Sequence, residues 1–129
     1  MTIGELARAA GVHVETVRYY QRRGLLAKPA KPPGGRNHYS DTVLQQIGFI
    51  RRAQYLGFTL QEIKSLMAIG DSRCAEGRSY AQAKLDELGA RVQEINRMRR
   101  ELRRMVRKCD ANTDGGPCPF LRSLDGEGA

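Results

Sequence analysis

The sequence predicts a mostly α-helical protein in which a winged helix-turn-helix is followed by one long helix. Three observations indicate this fold class. Two short amphipathic helical patterns flank Gly11, a segment rich in proline and glycine covers residues 28–39, and a heptad pattern of apolar residues runs from 81 to 106. Because the chain has 129 residues, we expect one small domain plus an appendage.

The N-terminal residues have the pattern of a helix-turn-helix. Thr2 and Glu5 form a capping box, in which each side chain satisfies a free backbone N–H at the start of a helix. Apolar residues then recur at helical spacing: Ile3, Leu6, Ala7 and Ala10. Gly11 is suited to end this helix, and a second short helix is predicted over about residues 13–22. A helix, a tight glycine turn and a second helix make up the predicted motif.

The middle of the chain predicts a wing and two further helices. Three prolines and two adjacent glycines exclude a helix over residues 28–39, and we interpret this basic segment as a β-hairpin with Gly34-Gly35 at or near its turn. Ser40 is predicted to cap a third helix. A second capping box, formed by Thr59 and Glu62, begins a fourth helix.

A long amphipathic helix is predicted to begin within residues 73–78 and to end near 108. Its apolar residues alternate in steps of four and three, which is the spacing of a heptad seam: Ala81, Leu85, Leu88, Val92, Ile95, Leu102 and Val106. Arg99 interrupts the seam, with Met98 beside it as an imperfect substitute. A lone helix would leave this stripe in water, and no second helix of matching length is predicted, so we expect a homodimer.

The charge of the chain is strongly positive, with a formal net charge of +8 and a pI of about 9.9. Residues 1–73 hold 11 Lys and Arg against 5 Asp and Glu, whereas residues 74–129 hold 11 against 9. Such a balance favours a polyanionic partner, usually nucleic acid, through phosphate contacts and counterion release. We therefore expect the N-terminal half to face double-stranded DNA.

The second predicted helix presents three side chains that suit contact with DNA. Arg18 is placed to reach a phosphate or a guanine, and Tyr19 is placed to hydrogen-bond a phosphate. Thr16 is suited to a base methyl group or a phosphate. Tyr20 lies on the inner side of the same helix, and we expect it to pack in the core.

Three cysteines, Cys74, Cys109 and Cys118, flank the long helix, with 35 and then 9 residues from one to the next. Cys74 stands at the start of the helix, where the helix dipole favours a thiolate, and the charges of Arg107 and Lys108 have the same effect on Cys109. A single free cysteine is most often a small buried apolar residue. Three cysteines around one helix indicate a ligand site instead.

The chemistry of three thiolates predicts a metal effector. Soft thiolate ligands favour soft metal ions. Three thiolates with no fourth ligand nearby suit Hg(II), whereas Zn(II) usually takes four ligands in a structural site. Lead(II) is the main competitor, and cadmium(II) also stays open. His13 and His38 lack ligand spacing to a cysteine, so we do not expect them to bind the metal.

Five short segments occur in a specific order along the N-terminal half: Thr2-Ile3-Gly4-Glu5-Leu6-Ala7, Gly11-Val12, Thr16-Val17-Arg18-Tyr19-Tyr20, Gly24-Leu25-Leu26 and Leu56-Gly57-Phe58-Thr59-Leu60-Gln61-Glu62-Ile63. Together they resemble the MerR family of transcriptional regulators. The spacing of the three cysteines, with Pro119 directly after Cys118, resembles that of the mercury-sensing members of the family. The resemblance extends over the chain up to about Leu124.

The resemblance implies three parts. A winged helix-turn-helix DNA-binding domain is expected at residues 1–70, a hinge and an antiparallel coiled-coil dimerisation helix at 71–108, and a C-terminal metal-binding loop and tail at 109–129. In an antiparallel pair, Cys74 of one protomer would join Cys109 and Cys118 of the other in two equivalent sites. Members of the family bend and untwist promoter DNA when the effector binds, which brings the promoter elements into register for RNA polymerase.

The resemblance also implies that the wing contacts DNA, and the candidates are Arg36, His38 and Tyr39. The family pattern has an arginine two places before the wing tyrosine. Here Asn37 stands at that place and is flanked by Arg36 and His38. We therefore expect the phosphate contact of the wing to come from a shifted residue.

These observations predict a cytoplasmic homodimer that is a repressor or a silent DNA binder without metal and an activator with Hg(II). The cytoplasmic prediction rests on the lack of a signal peptide and of a spanning apolar run. The first alternative is a thiol redox sensor in which Cys109 and Cys118 form a disulfide. An enzyme is disfavoured because no general base lies near the cysteines in the sequence, and neither a nucleotide loop nor cavity-building strands are predicted.

Overall fold

The computed structural model describes residues 1–29, 38–113 and 115–126 of the chain. Six α-helices and no strand occur among these residues: α1 Ile3–Ala10, α2 Val14–Arg22, α3 Asp41–Tyr55, α4 Leu60–Ile69, α5 Cys74–Asp110 and α6 Pro119–Leu124. The prediction of a mostly α-helical fold is therefore confirmed. The predicted β-hairpin wing falls largely on residues 30–37, which lie outside the described residues.

The chain forms two compact units, and the boundary between them falls inside the longest helix. The first unit is Met1–Lys84 and the second is Leu85–Ala129. The first contains α1 to α4 and the first turns of α5. The second contains the remainder of α5 together with α6.

The helix-turn-helix begins with the predicted capping box. The Glu5 backbone N–H donates to Thr2 Oγ1 at 3.2 Å, and the Thr2 N–H donates to Glu5 Oε1 at 3.1 Å. These bonds with Thr2 hold the pKa of the Glu5 carboxyl below its ordinary value. Gly11 ends α1 with a φ of 70°, a left-handed conformation that favours glycine, and the chain turns directly into α2.

The core of the first unit is built jointly by α1 to α4. Five side chains have no exposed surface, and every one of these four helices contributes at least one of them: Leu6, Val17, Ile47, Ile50 and Ile63. Tyr20 is also buried, as predicted, and its hydroxyl donates to Gln54 Oε1 on α3 at 2.8 Å. This shared core fixes α2 on the helices behind it and leaves the opposite face of α2 open.

The turn into α4 contains the second predicted capping box. The Glu62 N–H donates to Thr59 Oγ1 at 3.1 Å, and the Thr59 N–H donates to Glu62 Oε1 at 2.9 Å. The backbone N–H of Thr59 is the largest cause of a lowered pKa at Glu62, and the Lys84 side chain acts in the same direction. Ser40 occupies the equivalent position before α3, but its side chain makes no capping hydrogen bond.

Helix α5 has 37 residues and is exposed along most of its length. The predicted seam residues after Lys84 all lie on the surface of the single chain, at exposures between 36% for Leu88 and 62% for Leu85. Lys84 itself is buried. Despite the length of α5, the described part of the chain contains no helix apolar enough to cross a membrane.

Candidate metal centre and nucleic-acid interface

Cys109 and Cys118 lie side by side in the second unit. Cys109 is the penultimate residue of α5, and Cys118 directly precedes α6. Their Sγ atoms are 3.7 Å apart, both side chains are half-buried, and both thiols are free. The structure therefore brings two of the three predicted metal ligands together within one chain.

The loop that returns the chain to Cys109 is held by an asparagine. Asn112 Nδ2 donates to the carbonyl oxygen of Gly116 at 3.4 Å and to that of Pro117 at 3.3 Å. Pro117 directly precedes Cys118, so these bonds help to position the second thiol. Sequence reasoning missed Asn112, although asparagine, glycine and proline, which favour turns, all occur in this loop.

Helix α6 is tied back to the end of α5. Pro119 is its first residue, a position at which the missing N–H of proline is no loss and its fixed φ suits a helix. Ser123 Oγ donates to the Sδ of Met105 on α5 at 3.5 Å. This contact and the Asn112 loop together keep Cys118 beside Cys109.

The pKa of the Cys118 thiol is lowered from its ordinary value. The largest cause is the backbone N–H of Leu121, which stabilises the thiolate, and the Cys109 thiol and the N–H of Phe120 act in the same direction against partial desolvation. Cys118 occupies the N-cap position of α6 without a capping hydrogen bond of ordinary geometry.

The geometry of this dithiol suits a thiophilic metal ion. With metal–sulfur bonds of about 2.3 Å, the length that zinc forms, two sulfur ligands are about 3.8 Å apart at a tetrahedral angle and about 4.0 Å apart in a planar three-coordinate site. The observed separation of 3.7 Å is close to both values. Metals bind the thiolate form, which the lowered pKa of Cys118 favours. Cys109 and Cys118 therefore fit two positions of one metal's coordination shell.

Cys74 is the first residue of α5 and is exposed to solvent. It stands at the opposite end of the helix from Cys109. Among the described residues of the single chain, no group of three or more His, Cys, Asp or Glu side chains is arranged to hold a metal ion. One chain thus offers a paired site and a separate third thiol.

The exposed face of α2 contains the predicted recognition residues. Arg18 and Tyr19 are exposed and Thr16 is half-buried. Arg18 Nη1 forms an ion pair with Glu15 Oε1 at 3.3 Å, and both side chains are more than half exposed. Because the pair is exposed to solvent, Glu15 holds the Arg18 guanidinium only weakly.

Tyr19 is surrounded by further positive charge that sequence reasoning missed. Arg23 Nη1 donates to the Tyr19 hydroxyl at 3.0 Å, and the guanidinium carbons of Arg22 and Arg23 lie 5.9 and 5.7 Å from the centre of its ring. The local signal was the Arg-Arg pair at the end of α2. With Arg18, these side chains make the open face of α2 strongly cationic.

The predicted wing residues differ in whether the structure describes them and in how exposed they are. Arg36 lies outside the described residues. His38 is exposed, and its Nε2 lies 3.1 Å from the backbone nitrogen of Met1. Tyr39 is only 3% exposed, and its hydroxyl accepts a hydrogen bond from Gln21 Nε2 at 3.0 Å. Its ring therefore packs in the core, and its contact with DNA stays a prediction.

Two protein-family profiles match the chain. The profile for the MerR HTH family regulatory protein covers residues 1–68, and the profile described as MerR, DNA binding covers residues 44–105. The chain belongs to the MerR family. It is therefore a transcriptional regulator with a DNA-binding helix-turn-helix, and the resemblance seen in its sequence motifs is confirmed.

Individual MerR-family proteins match nearly the whole chain. The mercuric resistance operon regulatory protein of Serratia marcescens is 41% identical over 128 residues, covering 98% of this chain and 89% of that protein. The lead(II) complex of PbrR691 from Ralstonia metallidurans CH34 superposes with a TM-score of 0.82 at 36% identity, covering 96% of this chain and 98% of that chain. The mercury(II) complex of MerR from Bacillus megaterium MB1 gives 0.76 at 30% identity, with the same coverage.

The lowered pKa of Cys118 has a measurable consequence for its reactivity. Because the thiolate is the nucleophile, we expect Cys118 to be alkylated at lower pH in the folded protein than in the denatured protein. Peptide mass spectrometry of iodoacetamide labelling would measure the rate from about pH 6 to pH 10. A Cys74→Ser variant with metals removed by a chelator is the appropriate sample. An equal or higher midpoint in the folded state would contradict the predicted shift.

Proposed function

We propose that this MerR-family protein is a mercury(II)-responsive transcriptional regulator. The observation that supports this most directly is the free thiol pair of Cys109 and Cys118, 3.7 Å apart, on a chain whose third cysteine stands at the far end of α5. Hg(II) is a soft ion and favours such ligands. When bound, it would supply a link between the sulfur atoms of two protomers.

The apolar stripe of α5 supports a homodimer as the active form. Leu85, Val92 and Ile95 are each more than half exposed in the single chain, at spacings of seven and three residues. A heptad seam of this kind is usually covered by another helix. We propose that the covering helix is α5 of a second copy.

An antiparallel arrangement of the two helices would complete the metal site. The start of one α5 then meets the end of the other, so that Cys74 of one protomer joins Cys109 and Cys118 of its partner. A dimer would contain two such sites. Because each site takes ligands from both chains, binding at either site restrains the geometry of the dimer.

The choice of metal rests on ligand number and on the named relatives. Three thiolates suit Hg(II) and Pb(II), whereas structural Zn(II) sites usually take four ligands. The Serratia relative is named for mercuric resistance, and the Bacillus megaterium structure contains mercury(II). The PbrR691 structure contains lead(II), so lead remains the main competitor and cadmium the next. We propose Hg(II) as the effector of this chain.

The DNA-binding half supplies the output of the proposed switch. The cationic face of α2 would enter the major groove, with Arg18, Tyr19 and Thr16 at the DNA and the wing residues Arg36 and His38 on its backbone. A metal-dependent change in the dimer alters the spacing of the two α2 helices, which distorts the promoter between them. This distortion would bring the promoter elements into register for RNA polymerase in the cytoplasm.

The same sulfur pair favours one second candidate function. Two free thiols with sulfur atoms 3.7 Å apart can form a disulfide if these atoms approach by about 1.7 Å, an oxidant accepts two electrons and two protons are released. A thiol redox sensor would need only Cys109 and Cys118. It leaves Cys74 without a role, and this difference separates the two candidates.

A titration with mixed dimers tests the shared site. With excess small thiol present, we expect two Hg(II) per wild-type dimer and none in a homodimer of Cys74→Ser or of Cys109→Ser. A heterodimer of these two variants keeps one complete set of ligands, so it should bind one Hg(II). Thiolate-to-metal absorption measures the stoichiometry, with Pb(II), Cd(II) and Zn(II) as competitors.

The possible failures of this titration have distinct meanings. A heterodimer without binding would refute a site shared between protomers. A wild-type protein that binds no metal against excess thiol would refute metal sensing and favour the redox sensor. A preference for Pb(II) would keep the switch and replace its signal.

The dimer seam can be tested at two adjacent positions of α5. Val92 lies on the apolar stripe, whereas Gln93 lies off it and is exposed. Burial of each valine contributes about 1.5–3 kcal/mol, and a dimer contains two, so Val92→Lys should raise the dimer dissociation constant by at least about 100-fold. Sedimentation equilibrium measures this constant. Gln93→Lys adds the same charge and should leave the dimer intact; equal effects of both changes would argue against the seam.

The recognition helix makes a third test. Arg18→Ala should weaken binding to an operator selected from a random DNA pool by roughly 1–3 kcal/mol if Arg18 reads a base. Fluorescence anisotropy at several salt concentrations measures affinity and salt slope. Arg91→Ala removes the same charge from α5 and serves as the control. An Arg18→Ala protein with unchanged affinity and unchanged slope would exclude this role.

A further inference from the structure

Lys84 is a charged residue buried in the first unit. It is 6% exposed, although it belongs to a helix whose other charged side chains face solvent where they are described. Lysine is almost never buried unless its ammonium group is paired. The position therefore has a specific set of contacts that compensates the loss of hydration.

The contacts of Lys84 join three parts of the first unit. Its Nζ lies 3.2 Å from Glu62 Oε1 and 5.2 Å from the centre of the Phe58 ring, a cation–π geometry. The same Glu62 oxygen accepts the backbone N–H of Thr59 at 2.9 Å. One ammonium group thus holds α5 against the turn between α3 and α4 and against the capping box of α4.

This ion pair differs from others on α5 in what it connects. The pairs Arg91–Glu87, Arg97–Glu94 and Arg104–Glu101 each join neighbouring turns of α5 and are largely solvent-exposed. Such pairs stabilise a helix slightly. The Lys84–Glu62 pair spans 22 residues of sequence and links α5 to a different helix.

Stability alone does not explain a lysine at this place. The pair is partly buried, since the Glu62 side chain is 35% exposed while that of Lys84 is 7% exposed. Replacement of an ion pair that has lost hydration by apolar side chains is often neutral or stabilising. A charged pair, however, requires a defined distance and direction between its partners, whereas apolar side chains tolerate sliding. When a helix is held by such a pair and changes its direction, the element that carries the other partner therefore moves with it.

We propose that Lys84 is the positioning residue that couples α5 to the DNA-binding helices, through its joint contact with Glu62 and Phe58. The inference rests on the function proposed above. Metal binding at the ends of α5 alters the pairing of the two long helices. When α5 moves, the Lys84 junction moves α4 with it, and α4 moves the shared core behind α2. Without the junction, the metal site and the DNA-binding half act independently.

The experiment compares full-length dimers of Lys84→Met, Glu62→Gln and wild type. Lys84→Met keeps an unbranched stem and removes the charge, and Glu62→Gln retains a capping box, since glutamine also serves at this position. The control is Arg91→Met, which breaks an exposed pair of similar length, 3.1 Å, on the same helix. The readouts are operator affinity without metal, Hg(II) stoichiometry, thermal stability and the Hg(II)-dependent fluorescence of 2-aminopurine at the operator centre.

Loss of the junction should affect coupling and leave both binding events intact. We expect operator affinity without metal and Hg(II) stoichiometry within about twofold of wild type, and a metal-dependent DNA signal reduced at least about fivefold, the lower end of typical allosteric coupling factors. Arg91→Met should respond like wild type. The double variant should be no worse than Lys84→Met, because both changes remove one contact.

Three other outcomes would overturn the inference or its basis. A wild-type signal in Lys84→Met would refute it, and if that variant does not fold, a wild-type signal in folded Glu62→Gln would do so. A signal reduced only in proportion to thermal stability would make Lys84 a structural residue. A wild-type protein without any Hg(II)-dependent signal would refute the proposed function itself, and the inference would fall with it.

Discussion

The apolar stripe along α5 is the constraint on which the rest of the molecule depends. Leu85, Val92 and Val106 remain more than half exposed in the single chain, and side chains of this kind contribute about 1.5–3 kcal/mol each when they leave water. The core of the first unit contains none of the stripe residues after Lys84. We propose that the stripe serves association with a second copy of the chain. In our proposal one interface therefore does three things: it makes the dimer, it completes the metal site, and it sets the distance between the two recognition helices.

In the proposed dimer, the division of the thiols between the two ends of α5 gives metal binding a structural consequence. Two thiolates of one chain, such as those of Cys109 and Cys118, would place no restraint on the partner protomer. A ligand shifts a conformational equilibrium only as far as its affinity differs between the two states. In the proposed dimer, a third thiolate from the partner would supply that difference, because all three sulfur atoms would meet only when the two protomers adopt one arrangement. In this proposal Cys74 therefore has two roles: it completes the three-thiolate site, and it joins that site to the partner protomer.

In our proposal, a signal from the metal site reaches DNA through α5 and the core of the first unit. Helix α5 runs as one helix from Cys74 to Asp110, so two of the three candidate ligands, Cys74 and Cys109, are parts of the same element. Its first turns are attached to α4 through buried Lys84, and α4 shares its core with α2. Packed cores respond to displacement by moving as units because they have few voids to absorb it. The cationic face of α2, by contrast, consists of exposed side chains. Because α2 is packed on the shared core, this face moves when the core moves.

The amino-acid sequence by itself determined the features that depend on neighbouring residues: the two capping boxes, the glycine that ends α1, the heptad stripe, and the family motifs. These are readable because caps, turns and helical periodicity act within a few residues of chain. Only the tertiary structure decided which distant side chains meet and which are buried. It brought the sulfur atoms of Cys109 and Cys118 to 3.7 Å from each other through the Asn112 loop. It also buried Lys84 against α4, where it pairs with Glu62, 22 residues away in the sequence, and it placed Tyr39 in the core. Periodicity does not encode such contacts, because they depend on how whole helices and loops pack against one another.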